Sequence, residues 1–164
     1  MRLIELPTLW TVILDILAWL VIHLGVVALM IRVPGDRFHP EGPLYRPRAW
    51  ERAGRLYERV FRIRSWKERV PDGAGLWRDR GFPKRRLARR DASYMKAFCV
   101  ETCRAELTHW VIILFAPLFF FWNKTGVGWI MIGYALAENL PLIMVQRYNR
   151  LRFARVLEKR RKDF

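Results

Sequence analysis

Residues 101–110, ETCRAELTHW, stand directly before the apolar run 111–122, VIILFAPLFFFW. Charged groups beside hydrocarbon are costly to insert and commonly have a function. On a helix, Glu106 and His109 are three residues apart and share a face, and Glu101 lies about two turns before His109. A histidine oriented by a carboxylate is an arrangement typical of a general base. This stretch therefore predicts a membrane enzyme whose chemistry takes place at the membrane surface.

A second apolar run covers residues 9–31 and is interrupted only by Thr11, Asp15 and His23. At about 1.5 Å per residue, a helix of this length can cross a bilayer. A cleaved signal peptide is the alternative, but the run lacks a strongly basic start and a small-residue cleavage site. We interpret it as a retained first span.

The third apolar run covers residues 127–145 and contains Glu138, Asn139 and Pro141. Pro141 is expected to kink the helix because it lacks a backbone N–H. The run at residues 107–122 is short for a span, but its helix can begin earlier, near Ala92. The fold class predicted is therefore an all-α integral membrane protein, a single domain over residues 1–164 with spans at about 9–31, 107–122 and 127–145.

The charge distribution predicts the orientation. Hydrophobic residues make up 52% of the chain, yet its formal net charge is +15. The cations concentrate in residues 32–98 and in the tail, residues 146–164. The positive-inside rule places both of these segments in the cytoplasm and the N-terminus outside the cell membrane. Nucleic-acid binding is disfavoured, because the Trp and Phe residues stand at membrane boundaries rather than on a basic groove.

Residues 49–69 have the pattern of a basic amphipathic helix. Apolar residues recur at helical spacing, and arginines stand between them. The apolar residues are Ala53, Leu56, Tyr57, Val60 and Ile63, and the arginines are Arg52, Arg55, Arg59 and Arg62. Such a helix lies in the membrane interface rather than crossing it. We therefore expect an interfacial helix on the cytoplasmic side.

Several polar residues also have structural interpretations that stay open. Asp15 can bind a neighbouring helix, His23 can be a satisfied interior histidine, and Glu138 can pair with Arg147. Cys99 and Cys103 are expected to serve packing. A bridged metal site would need a second motif like Glu106-x-x-His109 together with further carboxylates. Because the sequence has none, we predict no metal and no cofactor.

Four stretches together resemble a known family. They are residues 66–74 (WKERVPDGA), 81–85 (GFPKR), 101–106 (ETCRAE) with 108–110 (THW) and 121–123 (FWN), and 139–141 (NLP) with 146–150 (QRYNR). They are similar to the glycosyl-4,4'-diaponeurosporenoate acyltransferases, small membrane proteins of carotenoid pigment biosynthesis. The resemblance implies transfer of a fatty acyl group from an acyl thioester, either acyl-CoA or acyl carrier protein, to a sugar hydroxyl of a glycosylated lipid.

The roles of individual residues are our own hypothesis within that reaction. His109 is the candidate base, and Glu106 or Glu101 is its candidate partner. A covalent acyl intermediate on Cys103 is the less favoured alternative. Candidates for binding the oxyanion or positioning the substrate are Arg104, Trp110, Asn139, Gln146, His23 and Glu138. Candidates for the phosphates of the donor are Lys84, Arg85, Arg147 and Arg150.

Two other functions remain open at this stage. One is an enzyme that acylates a different lipid, such as a glycerophospholipid. The other is a non-enzymatic membrane adaptor that binds anionic lipid, in which charge would matter more than residue identity. The expected partners are the lipid bilayer, the acyl thioester and the glycosylated acceptor. Three short spans enclose little volume, which leaves a homodimer open as the assembly.

Overall fold

The computed structural model describes residues 3–70 and 92–162. In this part of the chain every regular element is helical. The α-helices are α1 (Thr8–Arg32), α2 (Arg55–Arg59), α3 (Ala92–Phe115) and α4 (Thr125–Lys162). Short 3-10 helices cover Gly35–Arg37, Ala49–Gly54, Ile63–Ser65, Lys67–Arg69 and Ala116–Phe121.

Three of these helical segments are long and apolar enough to cross a membrane. They are Thr8–Arg32, Ser93–Phe121 and Thr125–Lys159. The early start of the second segment near Ala92 is confirmed, because α3 runs without a break from Ala92 to Phe115. The three long apolar helices predicted from the sequence are therefore present.

Prolines act differently in the last two segments. After Phe115 the α-helix gives way to the 3-10 helix Ala116–Phe121, which has a proline in its first two positions. Pro141, in contrast, lies inside α4 and does not end it, so the basic tail continues the same helix to Lys162. The lost N–H of a proline costs one helical hydrogen bond, which tertiary packing can offset.

The chain divides into two compact units, and each interrupts the other in sequence. Unit 1 comprises Met1–Arg32 and Leu107–Pro141. At its centre Trp19 stacks on Phe119 with ring centroids 4.5 Å apart, and Tyr134 meets Trp19 edge-on at 5.3 Å. The Trp19 indole also donates a hydrogen bond to the Met131 sulfur at 3.4 Å. Aromatic packing is therefore the main feature of this core.

Asp15 binds a neighbouring segment of unit 1, as one of its two interpretations predicted. Its Oδ1 accepts hydrogen bonds from Trp122 Nε1 at 2.8 Å and from Asn123 Nδ2 at 2.7 Å. The carboxylate is buried, so these donors offset part of its desolvation. The FWN motif at residues 121–123 thus has a structural role.

Unit 2 comprises Val33–Glu106 and Leu142–Phe164. Its core joins the segment after α1 to the second half of α4. Buried residues of this core are Tyr57, Ile63, Val145, Tyr148 and Leu151. Trp66, Val70 and Met144 pack against them.

The prediction of one amphipathic helix over residues 49–69 is wrong. The segment is divided into the 3-10 helix Ala49–Gly54, the five-residue α2 and two further 3-10 turns. Arg52 and Ala53 have φ of 48° and 54°, and Arg62 has φ of 47°. Tertiary packing accounts for the break, because Tyr57 and Ile63 are buried while Val60, on the same predicted face, is exposed. Packing into the core of unit 2 therefore overrides the helical preference that the local periodicity indicates.

Candidate functional site

His109 forms a defined hydrogen bond within unit 1. Its Nδ1 lies 2.9 Å from Oδ1 of Asn139. Asn139 is buried, and its Nδ2 donates to the backbone carbonyl of Ala135, one helical turn earlier, at 2.9 Å. α3 supplies the histidine and α4 the asparagine.

The direction of the Asn139–Ala135 bond assigns the tautomer of His109. Because a carbonyl oxygen only accepts, the amide group facing Ala135 is the NH2 group, and Oδ1 faces the imidazole. Nδ1 of His109 must then carry the proton that it donates to Oδ1. The lone pair of the neutral ring resides on Nε2, the nitrogen that can accept a proton. A histidine held in one tautomer by a side-chain acceptor is an arrangement also found in catalytic triads.

Glu106 uses its carboxylate differently from the sequence expectation. In unit 2, Oε1 of Glu106 accepts a hydrogen bond from Arg147 Nη1 at 2.8 Å, and Oε2 accepts one from Arg150 Nη2. The carboxylate is fully buried, so it needs both cationic partners to offset its desolvation. The orienting hydrogen bond that we expected from Glu106 to His109 is instead made by Asn139.

Glu51 is a member of this ion-pair network that the sequence analysis missed. Arg147 binds it through two nitrogens, with Nε at 2.8 Å from Oε1 and Nη2 at 3.1 Å from Oε2. Tyr57 donates its hydroxyl proton to Oε1 at 2.7 Å, and the backbone N–H of Arg48 donates to Oε2 at 2.6 Å. Because the guanidinium is planar, two parallel hydrogen bonds to one carboxylate also fix the orientation of the Arg147 side chain relative to Glu51. Glu51 and Glu106 together match the charges of Arg147 and Arg150.

The electrostatics of Glu51 follow from these contacts. Burial alone would raise the pKa of its carboxyl, but hydrogen bonds from Arg147, Tyr57 and the Arg48 backbone outweigh burial and hold the pKa below its usual range. Burial and the hydrogen bond to Glu51 raise the pKa of Tyr57 above its usual range. Burial, followed by nearby Cys103 and Glu106, raises the pKa of Tyr45 to about 12. The network is thus charged at its carboxylate and neutral at its phenols around pH 7.

Glu101 and Arg104 form a local pair on α3. Arg104 Nη2 lies 3.1 Å from Glu101 Oε1, and Nε lies 3.1 Å from Oε2. Arg104 Nη1 also donates to the backbone carbonyl of Val33, and the guanidinium lies 4.8 Å from the ring centroid of Phe38. These contacts attach the segment after α1 to α3, which is a structural use of both predicted site residues.

Each of the remaining predicted positioning residues has its own surroundings within its unit. His23 Nδ1 lies 2.8 Å from the backbone carbonyl of Trp19 and must donate to it, which agrees with its interpretation as a satisfied histidine. Glu138 and Trp110 are exposed. The Oε1 of Gln146 and the Nη1 of Arg150 are buried and have no hydrogen-bond partner among the described residues. The alternative pairing of Glu138 with Arg147 differs from the structure, which gives Arg147 to Glu51 and Glu106.

The predicted phosphate-binding residues cannot all be located. Lys84 and Arg85 lie outside the described residues. Arg147 and Arg150 are described, and both are engaged by carboxylates. Arg150 also donates from Nε to the carbonyl of Tyr45 at 3.3 Å.

The described part of the chain bears on the predictions for metal ligands and for the two cysteines. There, no group of three or more His, Cys, Asp or Glu side chains is arranged to hold a metal ion. Cys99 and Cys103 are free thiols, and both are buried. Burial of both thiols agrees with the expectation that these cysteines serve packing.

These features define a class. Over residues 3–70 and 92–162 the protein is helical and has three helices able to span a membrane, with an oriented histidine in one unit and a buried ion-pair network in the other. The sequence profile of the glycosyl-4,4'-diaponeurosporenoate acyltransferases matches residues 41–159. The chain belongs to this family, and the resemblance stated from its motifs is confirmed.

Named relatives agree with the profile. Proteins named glycosyl-4,4'-diaponeurosporenoate acyltransferase from Staphylococcus aureus strains bovine RF122 / ET3-1 and MRSA252 are each 35% identical over 141 residues. The match covers 85% of this chain and 83% of each relative. No solved structure matches the chain.

Proposed function

We propose that this protein is an acyltransferase that moves a fatty acyl group from an acyl thioester to a sugar hydroxyl of a glycosylated carotenoid acid. Two lines of support meet here. The family and its relatives are named for acyl transfer to glycosyl-4,4'-diaponeurosporenoate. The hydrogen bond between His109 and Asn139 supplies a histidine held in the tautomer of a base.

The reaction is direct transfer. Nε2 of His109 takes the proton of the sugar hydroxyl as its oxygen attacks the thioester carbonyl carbon. The tetrahedral intermediate collapses by breaking the C–S bond, and the thiolate leaves. The imidazolium then returns the proton to that thiolate. The products are a sugar ester and a free thiol, with no change in oxidation state.

Asn139 takes the orienting role that Glu106 had in the initial hypothesis. An amide oxygen holds the ring in position without adding a negative charge, as in asparagine-containing catalytic triads. Because the Nδ2 of Asn139 is engaged by Ala135, we assign Asn139 to the ring rather than to the oxyanion. The indole N–H of Trp110, next to His109 on α3 and exposed, is our first choice of oxyanion donor.

The charge balance of the ion-pair network argues for a structural role of Arg147 and Arg150. Donor phosphates would have to displace Glu51 and Glu106 from the largely buried guanidinium groups of Arg147 and Arg150, which is costly. We therefore keep Lys84 and Arg85 as the proposed contacts of the donor phosphates. The Glu51–Arg147–Glu106–Arg150 network maintains the shape of unit 2.

We further propose that the protein is inserted in the cell membrane with its N-terminus outside and its C-terminus in the cytoplasm. The three long apolar helices and the basic segment and tail support this orientation. The fatty acyl chain and the lipid acceptor would then enter the protein from the bilayer, while the carrier of the acyl donor stays in the cytoplasm.

The test is a turnover assay with purified protein in detergent. A labelled acyl-CoA or acyl carrier protein is supplied with a glycosylated carotenoid, with an alkyl glucoside, or with glycerol 3-phosphate as the competing acceptor class. Label on the sugar supports the proposal. Label on the glycerol phosphate alone replaces it with a phospholipid acyltransferase. Folded protein that consumes no thioester with any acceptor contradicts an enzymatic role and favours the adaptor.

A further inference from the structure

Residues 44–62, the 44–62 segment, expose large apolar side chains although the segment belongs to the core of unit 2. Trp50 is 59% exposed and Val60 is 63% exposed. Leu44 and Phe61 are exposed as well. Four large apolar groups exposed within a short stretch indicate a surface that meets something other than water.

The exposed charge of the same segment is cationic. Its exposed charged residues are Arg46, Arg52, Arg55, Arg59 and Arg62. Both acidic residues already have cationic or hydroxyl partners. Glu51 is buried against Arg147, and Glu58 accepts hydrogen bonds from Tyr148 and Arg64. Within the part of the chain that the structure describes, the two carboxylates of the segment therefore pair with Arg147 and Arg64, which lie outside it, and not with its five exposed arginines.

The backbone of this segment is in an unusual conformation. Arg52, Ala53 and Arg62, on either side of α2, adopt left-handed φ values that side chains disfavour. A regular helix would have avoided this strain. Packing of Tyr57 and Ile63 into the core of unit 2 imposes this break, and strained residues of this kind also occur where a segment has a function. Tyr57 faces the core, while Trp50 and Phe61 remain exposed.

We propose that the 44–62 segment docks on the anionic headgroups of a lipid bilayer, with its apolar side chains in the interface and its arginines on phosphates. Tryptophan and arginine are residues that favour the interface between the headgroups and the hydrocarbon of a bilayer. The segment is also close in sequence to a membrane candidate, because α1 ends at Arg32 and residues 33–43 reach at most about 40 Å. Charge complementarity and this short connection favour a bilayer over an acidic carrier protein.

The proposal goes beyond acyl transfer and can be tested without turnover. The full-length chain is placed in nanodiscs with a nitroxide at Val60→Cys, while Trp50 is retained. A matched label at Ser65→Cys, exposed but outside the segment, reports the aqueous background. The buried Cys99 and Cys103 are replaced by alanine. Collision rates of each label with oxygen and with an aqueous nickel chelate are compared in neutral and in phosphatidylglycerol-containing discs.

We expect a severalfold loss of nickel accessibility at residue 60, and not at residue 65, in the anionic discs. Combined replacement of Arg52, Arg55, Arg59 and Arg62 by glutamine should restore it. Equal nickel accessibility at residue 60 in both discs would overturn the proposal: high values mean an aqueous segment, and low values mean insertion independent of lipid charge. Shielding only after an acidic acyl carrier protein is added would also overturn it, in favour of a carrier-docking surface.

Discussion

His109 and Asn139 are joined by a 2.9 Å hydrogen bond whose direction is fixed by a second bond, from Asn139 to the Ala135 carbonyl. The second bond turns the amide oxygen toward the imidazole, so the ring keeps its proton on Nδ1. From these two hydrogen bonds we infer that an asparagine, rather than a carboxylate, orients His109 and leaves Nε2 as the nitrogen that accepts a proton.

Glu51→Gln should destabilise unit 2. The substitution leaves Arg147, whose side chain is only 12% exposed, with only Glu106 to balance its charge, and breaking a largely buried ion pair costs about 3 kcal/mol. Thermal unfolding in detergent measures the effect. The exposed Glu41→Gln is the matched control and should be near neutral. Equal stability of the two variants would mean that the network does not hold unit 2.

Acid should remove the same stabilisation. Because the pKa of folded Glu51 lies below its unfolded value, its contribution is present above about pH 4.3 and is lost as pH falls through the lower folded pKa. The stability advantage of the wild type over Glu51→Gln should therefore shrink in that window. Unfolding curves of both proteins between neutral pH and about pH 3 test this. A constant advantage across the range would contradict the charged pair.

Asp15 should matter through its acceptor oxygen. Asp15→Leu leaves the donors of Trp122 and Asn123 without the acceptor they use, at about 1–3 kcal/mol each. Asp15→Asn keeps an acceptor oxygen at the same place and should be much milder. Thermal unfolding of both variants decides between an acceptor role and a charge role, because equal losses would point to the charge.

Gly128 should not tolerate a side chain. A Cβ at this position would lie 2.5 Å from two ring atoms of Phe120. Gly128→Ala is therefore expected to cost about 1–3 kcal/mol. Gly133→Ala, on the same helix, meets nothing within 4 Å and should be neutral or stabilising by up to about 1 kcal/mol. Unfolding measurements that rank the two variants in the opposite order would contradict the packing of unit 1.

The long helices could be predicted from the sequence because runs such as residues 9–31 must be helical to cross a bilayer at all. The 49–69 region could not. Its periodicity predicted one helix, but burial of Tyr57 and Ile63 against α4 decided its path. Those contacts are more than 80 residues away along the chain, where local pattern carries no information.

The histidine and the asparagine of the candidate site could be predicted from the sequence, but their pairing could not, because it depends on contacts between distant parts of the chain. The motifs contained His109 and Asn139, but sequence spacing favoured the nearby Glu106 as the partner. The structure uses Glu106 to balance Arg147 and Arg150. Glu51 had no signal other than being an acidic residue in an arginine-rich segment, because its partners come from distant α4 and from Tyr57.

The most direct measurement is the initial rate of acyl transfer to a glycosylated carotenoid by four purified proteins: wild type, His109→Ala, Asn139→Ala and the exposed control His39→Ala. The account predicts a loss of about 10²–10⁴-fold for His109→Ala, the usual size of a general-base contribution. Asn139→Ala should lose about 10²-fold through misplacement of the ring, and His39→Ala should match the wild type. A monodisperse His109→Ala protein with a near-normal rate would contradict the account.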